Sequence, residues 1–221
     1  MKNLLLTSLI VCGLVFTPII GVNAQEAGSL YGGVYYTTLA DTDLDTEGDE
    51  LSLDLTSGFG FNAGGEMQMT PEFGVAAEFS RIFVSDSDSI TETGGGVTAT
   101  GEVEANLPVN AIRGNAVLNL NELMEQENLP DIKIKGGAGY YFGELDFEGE
   151  VTVNGETYEE YSESEDLSGF GFRIGASVEQ EVTDDFSVKG DIGYRILDLE
   201  NGGDDVNANG VELGAGVAYS F

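Results

Sequence analysis

Val211-Glu212-Leu213-Gly214-Ala215-Gly216-Val217-Ala218-Tyr219-Ser220-Phe221 alternates strictly with a period of two. Valine, leucine, alanine, tyrosine and phenylalanine occupy one face, and glutamate, glycine, alanine and serine the other. Successive side chains of a strand point to opposite sides, so this is a strand with two chemically different faces. Working backward, the same alternation recurs. Phe186, Val188, Ile192, Tyr194 and Ile196 oppose Ser187, Lys189, Asp191 and Arg195. Phe170, Phe172, Ile174, Ala176 and Val178 oppose Gly171, Arg173, Gly175, Ser177 and Glu179. Ile132, Ile134, Ala138, Tyr140 and Phe142 oppose Lys133, Lys135, Gly137, Gly139 and Tyr141.

Extended to the whole chain, the pattern gives eight strands at about 29–39, 51–69, 73–84, 101–120, 131–143, 167–182, 186–198 and 207–221. In the second, Leu51, Leu53, Leu55, Phe59, Phe61, Met67 and Met69 share a face. In the fourth, Leu107 and Val109 fall out of phase with Ile112, Ala116, Leu118 and Leu120, and a bulge near Asn110 is the expected remedy. The connections alternate in length. Thr70-Pro71-Glu72, Asn121 to Pro130 and Thr183-Asp184-Asp185 are short, whereas 40–50, 85–100, 144–166 and 199–206 are long.

The N-terminus reads differently. Lys2, an apolar run from Leu4 to Ile20 and Val22-Asn23-Ala24 form a secretory signal peptide with cleavage expected after Ala24. The residue before Cys12 is Val11, which disfavours lipid anchoring. The domain reading is thus signal peptide 1–24 and barrel 25–221; removing 24 of 221 residues leaves 197, with no Cys, His or Trp. Disulfides and Cys/His metal sites are therefore unavailable, no cofactor is expected, and no imidazole exists for a catalytic triad. No enzymatic role is read. The mature part carries 40 acidic and 7 basic residues, a formal charge of −33, which excludes electrostatic binding to nucleic acid. Such acidity suits a high-salt habitat, where the Debye length falls to about 3 Å at 1 M salt.

Past the signal, no apolar run approaches the ~20 residues of a spanning helix. Alternation fits two opposite objects, a soluble lipocalin-like barrel with its apolar face inside and a membrane barrel with that face in lipid. The other face favours the second. It is dominated by small residues, and Lys133, Lys135, Arg173, Lys189 and Arg195 fall on it, joined by Arg113 when the fourth strand is phased on Ile112. Only Arg81 falls on the apolar face. A basic side chain in lipid costs about 2–4 kcal/mol at the midplane, so its exclusion marks the lipid side. Phe73, Phe186, Tyr219 and Phe221 gather at the short-turn ends and Phe59, Phe83, Tyr140, Phe142, Phe170, Phe172 and Tyr194 toward the other, as two aromatic girdles.

The fold class is accordingly all-β, a closed eight-stranded antiparallel up-and-down transmembrane barrel. The chain resembles the eight-stranded outer-membrane β-barrel family that includes opacity-type porins and the barrel domain of OmpA-like proteins. The resemblance rests on Leu107-Pro108-Val109, Lys135 to Phe142, Gly169 to Ala176, Tyr194 to Asp198 and Gly216 to Phe221, and it covers essentially the mature chain. It implies the outer membrane of a diderm bacterium, a monomer in outer-membrane lipid, and an assembly signal at Val217, Tyr219 and Phe221 read by the barrel-assembly machinery.

The lumen is expected to hold Arg113, Lys133, Lys135, Arg173, Lys189 and Arg195 with Glu66, Glu78, Glu179, Asp191 and Glu212 as partners. A salt-bridged plug is the first reading and a narrow ion path the second. Asp41, Asp43, Asp45, Glu47 and Asp49 resemble half a calcium loop, but Thr46 and Ser52 stand where glycine and glutamate belong. Weak divalent binding at the acidic loops is the residual reading. Gly58-Phe59-Gly60 and Gly137-Ala138-Gly139 lie within strands, not before helices, so nucleotide binding is rejected. In order, the expected functions are a surface structural or interaction protein, a small cation-favouring porin, and a soluble ligand-binding barrel.

Overall fold

The computed structural model describes residues 28–39, 43–45, 52–94, 96–124, 130–201 and 204–221. The elements are β1 (Gly28–Thr38), β2 (Asp43–Asp45), β3 (Ser52–Asp54), β4 (Ser57–Gln68), β5 (Phe73–Gly94), β6 (Val97–Asn119), α1 (Leu120–Met124), β7 (Asp131–Val153), β8 (Glu156–Glu181), β9 (Phe186–Asn201), β10 (Asp204–Asn207) and β11 (Gly210–Ser220). Antiparallel pairing runs β1–β4–β5–β6–β7–β8–β9–β11, and β11 returns to β1, closing a ring of eight strands. Closure removes the edges that hydrocarbon cannot tolerate.

Two short turns are built alike. Val182 and Met69 donate backbone N–H groups to Phe186 O and Phe73 O, each at 2.8 Å. Thr183 Oγ1 and Thr70 Oγ1 then accept from the N–H of Phe186 and Phe73, each at 3.1 Å. These turns share the end of the barrel where Gly28 and Phe221 exchange backbone hydrogen bonds of 3.2 and 2.9 Å. The connection expected from Asn121 to Pro130 opens with α1, and 125–129 lie outside the described residues.

At the opposite end the structure corrects the expected long loops. Segments 85–100 and 144–166 are mostly strand, because β5, β6, β7 and β8 continue unbroken past the barrel as a four-stranded extension. The β7–β8 hairpin turns on Asn154 and Gly155, with φ of 53° and 82°, while Val153 pairs Glu156. Two consecutive positive φ values match a two-residue type I′ turn, for which Asn-Gly is the favoured pair. Acid-rich composition had suggested loop, yet Thr, Val, Tyr and Ile between the acids sustain strand, and one face of each strand stays in water. Likewise the connection expected over 199–206 is strand where it is described, since β10 folds back on β9.

A second correction concerns the fourth strand. The register between β5, β6 and β7 runs without a shift past Asn110, with Arg81 opposite Asn110 and Asn110 opposite Phe142. There is no bulge. Leu107 and Val109 point inward with Ala111 and Arg113, because the outer part of the lumen is apolar. A third correction is that the second expected strand is interrupted. Residues 52–54 pair with β2 in a separate ribbon, and Leu55, expected beside Phe59, turns inward and is fully buried. Leu51 lies outside the described residues.

Elsewhere the faces fall as the alternation predicts. Phe170, Phe172 and Ile174 are 77%, 62% and 61% exposed on the outside, whereas Arg173 between the last two is buried. The inverted, soluble arrangement is thereby removed.

Candidate functional site

The lumen is crowded because glycines admit large side chains. A Cβ on Gly60 would stand 2.8 Å from Tyr35 Oη, and one on Gly64 2.7 Å from Tyr31 Oη. Tyr31, Tyr35 and Tyr141 are buried there, the first two unassigned by sequence because β1 is too aromatic to phase alone. A tyrosine facing a glycine-rich neighbouring strand is the signal that places them.

All eleven charged residues read as luminal lie inside the barrel, in three tiers. Nearest the short turns, Lys133 Nζ donates to Glu66 at 2.8 Å and Glu179 at 2.9 Å, and Lys135 Nζ to Glu66 at 2.6 Å. Lys189 Nζ lies 4.2 Å from the centre of the Tyr31 ring and Lys135 Nζ 4.8 Å, cation–π contacts that hold charge without a further carboxylate. In the middle tier, Tyr31 donates to Glu78 at 3.0 Å, Arg113 pairs with Glu78, and Arg173 pairs with Asp191. Glu212 joins this tier to the next. It accepts from Arg173 Nε at 2.6 Å and Arg195 Nη1 at 2.7 Å, with Arg113 Nη1 at 3.6 Å. Arg195, fully buried, also donates to Ala208 O at 2.9 Å and Thr37 Oγ1 at 3.3 Å.

Above Arg195 the chemistry changes. Leu55, Leu107, Leu145, Leu167, Leu197 and Leu199 form an apolar layer with Val84 and Val206. Mobile ions entering such a layer lose their hydration without a partner, a heavy cost. Below it, a cavity of about 20 Å³ remains among Tyr31, Tyr35, Lys189, Arg173 and Asp191, room for about one water.

The outer wall carries the girdles. Phe186, Tyr219 and Phe221 meet in sequence as tilted rings at centroid separations of 5.0 and 6.4 Å. At the other end Tyr36 meets Phe59 at 5.2 Å and Tyr140 meets Phe170 at 5.2 Å. Arg81, the one basic residue expected outside, lies over Phe83 at 5.0 Å. Val217, Tyr219 and Phe221 are exposed on this wall.

Residues 12–221 match the family model described as outer membrane protein beta-barrel domain. The chain belongs to that family. Membership places it in the outer membrane, and its lipid-facing wall is the apolar one described above. Among solved structures, the outer-membrane barrel is similar to the attachment invasion locus protein Ail of Yersinia pestis at TM-score 0.52 and 15% identity, over 89% of this chain and 99% of that one. Neisserial surface protein A aligns at TM-score 0.48 and 15% identity, over 88% and 99%. OprG of Pseudomonas aeruginosa aligns at 0.47 and 10%, over 89% and 96%. No curated protein matches the chain. These likenesses concern the fold.

Beyond the lumen, the outer-membrane barrel carries many of its acids on the extension. Glu102, Glu150 and Glu160 stand directly opposite one another across β6, β7 and β8, and Glu104 faces Glu148 in a neighbouring row. Both rows flank a groove of about 870 Å³. Of the half calcium loop, Asp43 and Asp45 belong to the β2–β3 ribbon, and Asp41, Glu47 and Asp49 lie outside the described residues. Among the described residues, no group of three or more acidic side chains is arranged to hold a metal ion.

Directly opposed like charges destabilise a sheet by up to about 1 kcal/mol per pair. Replacing Glu150, which faces two glutamates, by Gln is expected to slow amide exchange in β6 and β7 of the extension at low salt. The gain should vanish near 1 M salt, where screening already removes the repulsion. Equal gains at both salt concentrations would contradict it.

Proposed function

We propose that this outer-membrane barrel is a non-conducting anchor that holds a β-sheet at the cell surface as an interaction platform. The observation that carries the reading is the apolar layer across the lumen, stacked on a network in which five of the six luminal cations are ion-paired and the sixth, Lys189, lies over the Tyr31 ring. A porin needs a wetted path, and two successive barriers oppose one. The extension, by contrast, extends the fold away from the membrane on four strands. Its charge disfavours polyanionic partners and anionic surfaces.

Planar-bilayer recording of the folded protein tests this. The expected result is no unitary current; cation-selective steps would establish the porin reading instead.

Biogenesis belongs to the same proposal: the precursor loses residues 1–24, and Val217, Tyr219 and Phe221 form the signal read by the assembly machinery. Support comes from their exposure on one wall and from the backbone pairing of Phe221 with Gly28 at the barrel seam. Deleting Phe221 should lower the inserted fraction in cells at least tenfold while the protein still refolds in detergent. Unchanged insertion, measured by heat-modifiable gel migration of membrane fractions, would refute the signal.

A further inference from the structure

The barrel has no edge, but the extension has two. On β8, pairing to β9 begins at Ser168, so among the described residues Glu159–Asp166 pair in unbroken register with β7 on one side and with no strand on the other, while nearer the tip Tyr158 forms a bulge opposite Val151 and Thr152. On β5, pairing to β4 ends at Val84, leaving Ser85–Gly94 with one strand partner, although β3 packs beside β5 there. The β8 edge is therefore the more open. Its regular part spans eight residues, about 26 Å of strand.

Regular strand backbone with one unpaired side offers a row of N–H and C=O groups, a template for another strand. Its side chains select the occupant. Glu156, Glu159, Glu160, Glu163, Glu165 and Asp166 supply six negative charges and no positive one. Tyr158 is 78% exposed and Tyr161 49%, two aromatic faces for cations among those carboxylates. A second copy would bring the same acids against these, so self-pairing is disfavoured by the charge that guards the edge.

We propose that the free edge of β8, Glu159–Asp166, captures an extended cationic segment of a protein partner as an added strand. On one face Glu159, Tyr161, Glu163 and Glu165 recur at every second position, so the matching segment carries Lys or Arg at every second position. Backbone pairing supplies the register and the carboxylates supply the selection. This inference rests on the interaction-platform reading and names the class of its partner.

The test uses the whole protein in zwitterionic lipid nanodiscs and a labelled ten-residue peptide alternating lysine and threonine. A control peptide keeps every lysine but has prolines at two central threonines, which removes backbone donors and leaves the charge intact. The alternating peptide is expected to bind at least tenfold more tightly and to slow amide exchange across Glu159–Asp166. The double variant Glu163→Gln, Glu165→Gln should weaken it several-fold with the barrel's heat-modifiable migration unchanged. Equal affinity for the two peptides would overturn the proposal, since diffuse charge alone then explains binding. Protection confined to Ser85–Gly94, or peptide-independent dimers by sedimentation, would overturn it as well. Unitary currents in the bilayer would remove the closed-anchor reading and leave the peptide result standing on its own.

Discussion

Replacing Glu212 by Ala is expected to destabilise the folded barrel by about 3–5 kcal/mol, the range for removing one partner from a buried ion pair. Glu212 is 2% exposed and faces Arg113, Arg173 and Arg195, so its loss leaves three guanidinium groups short of an anion in a space with no bulk water. Arg173 keeps Asp191 and Arg113 keeps Glu78. Arg195 retains only neutral acceptors, Ala208 O and Thr37 Oγ1, and bears most of the cost. Glu212→Gln preserves the shape but not the charge and should cost nearly as much. Urea unfolding in lipid vesicles, followed by tyrosine fluorescence and gel migration, measures the difference. A loss under 1 kcal/mol for both variants would mean that water reaches this tier and solvates the arginines. The matching change on the short-turn side, Glu66→Ala, should be milder, because Lys133 keeps Glu179 and Lys135, which loses its carboxylate, keeps the Tyr31 ring.

Leu107→Ala is expected to cost about 2–5 kcal/mol, as for a leucine removed from a packed core. Leu107 is fully buried in the apolar layer across the lumen, which cannot collapse easily because its strand pairs with β5 at Leu107 itself and with β7 at Asn106 and Val109 on either side of it. Five residues on, Ile112 is 54% exposed on the lipid-facing wall. Ile112→Ala should cost well under half as much, because lipid chains fill the space left behind. The same unfolding measurement compares the two. Equal costs would place Leu107 in lipid and restore a break in the alternation of the fourth strand.

That contrast marks where sequence reasoning reached and where it stopped. Period-two alternation was sufficient for the strands that pass lipid, since one face must be uniformly apolar there and Phe170, Phe172 and Ile174 announce it. The basic residues were legible for the same reason, because lipid excludes Lys133, Lys135, Arg173, Lys189 and Arg195 from that wall. The apolar layer was not legible. Where the strands approach the outer rim both faces of a strand can be apolar, so Leu107 and Val109 looked like an error of phase when they are a change of environment. The extension escaped for a different reason: its inner face carries small residues such as Ala105 and Gly149 beside Val103 and Leu145, and its outer face is dense in acids, leaving a weak period-two signal. Asn154-Gly155 was the one local mark of that hairpin.

The sequence by itself determined an outer-membrane barrel: its strand count, its lipid-facing side and the set of charges that the lumen must hold. Those follow from local constraints that each strand obeys separately, namely the alternation of side chains and the cost of charge in hydrocarbon. Tertiary structure alone decided that Glu212 bridges tiers, that leucines from several strands meet across the lumen, and that β8 outruns β9 to leave a free edge. Each of these depends on register between strands and on where neighbouring strands end, and no single strand carries that information.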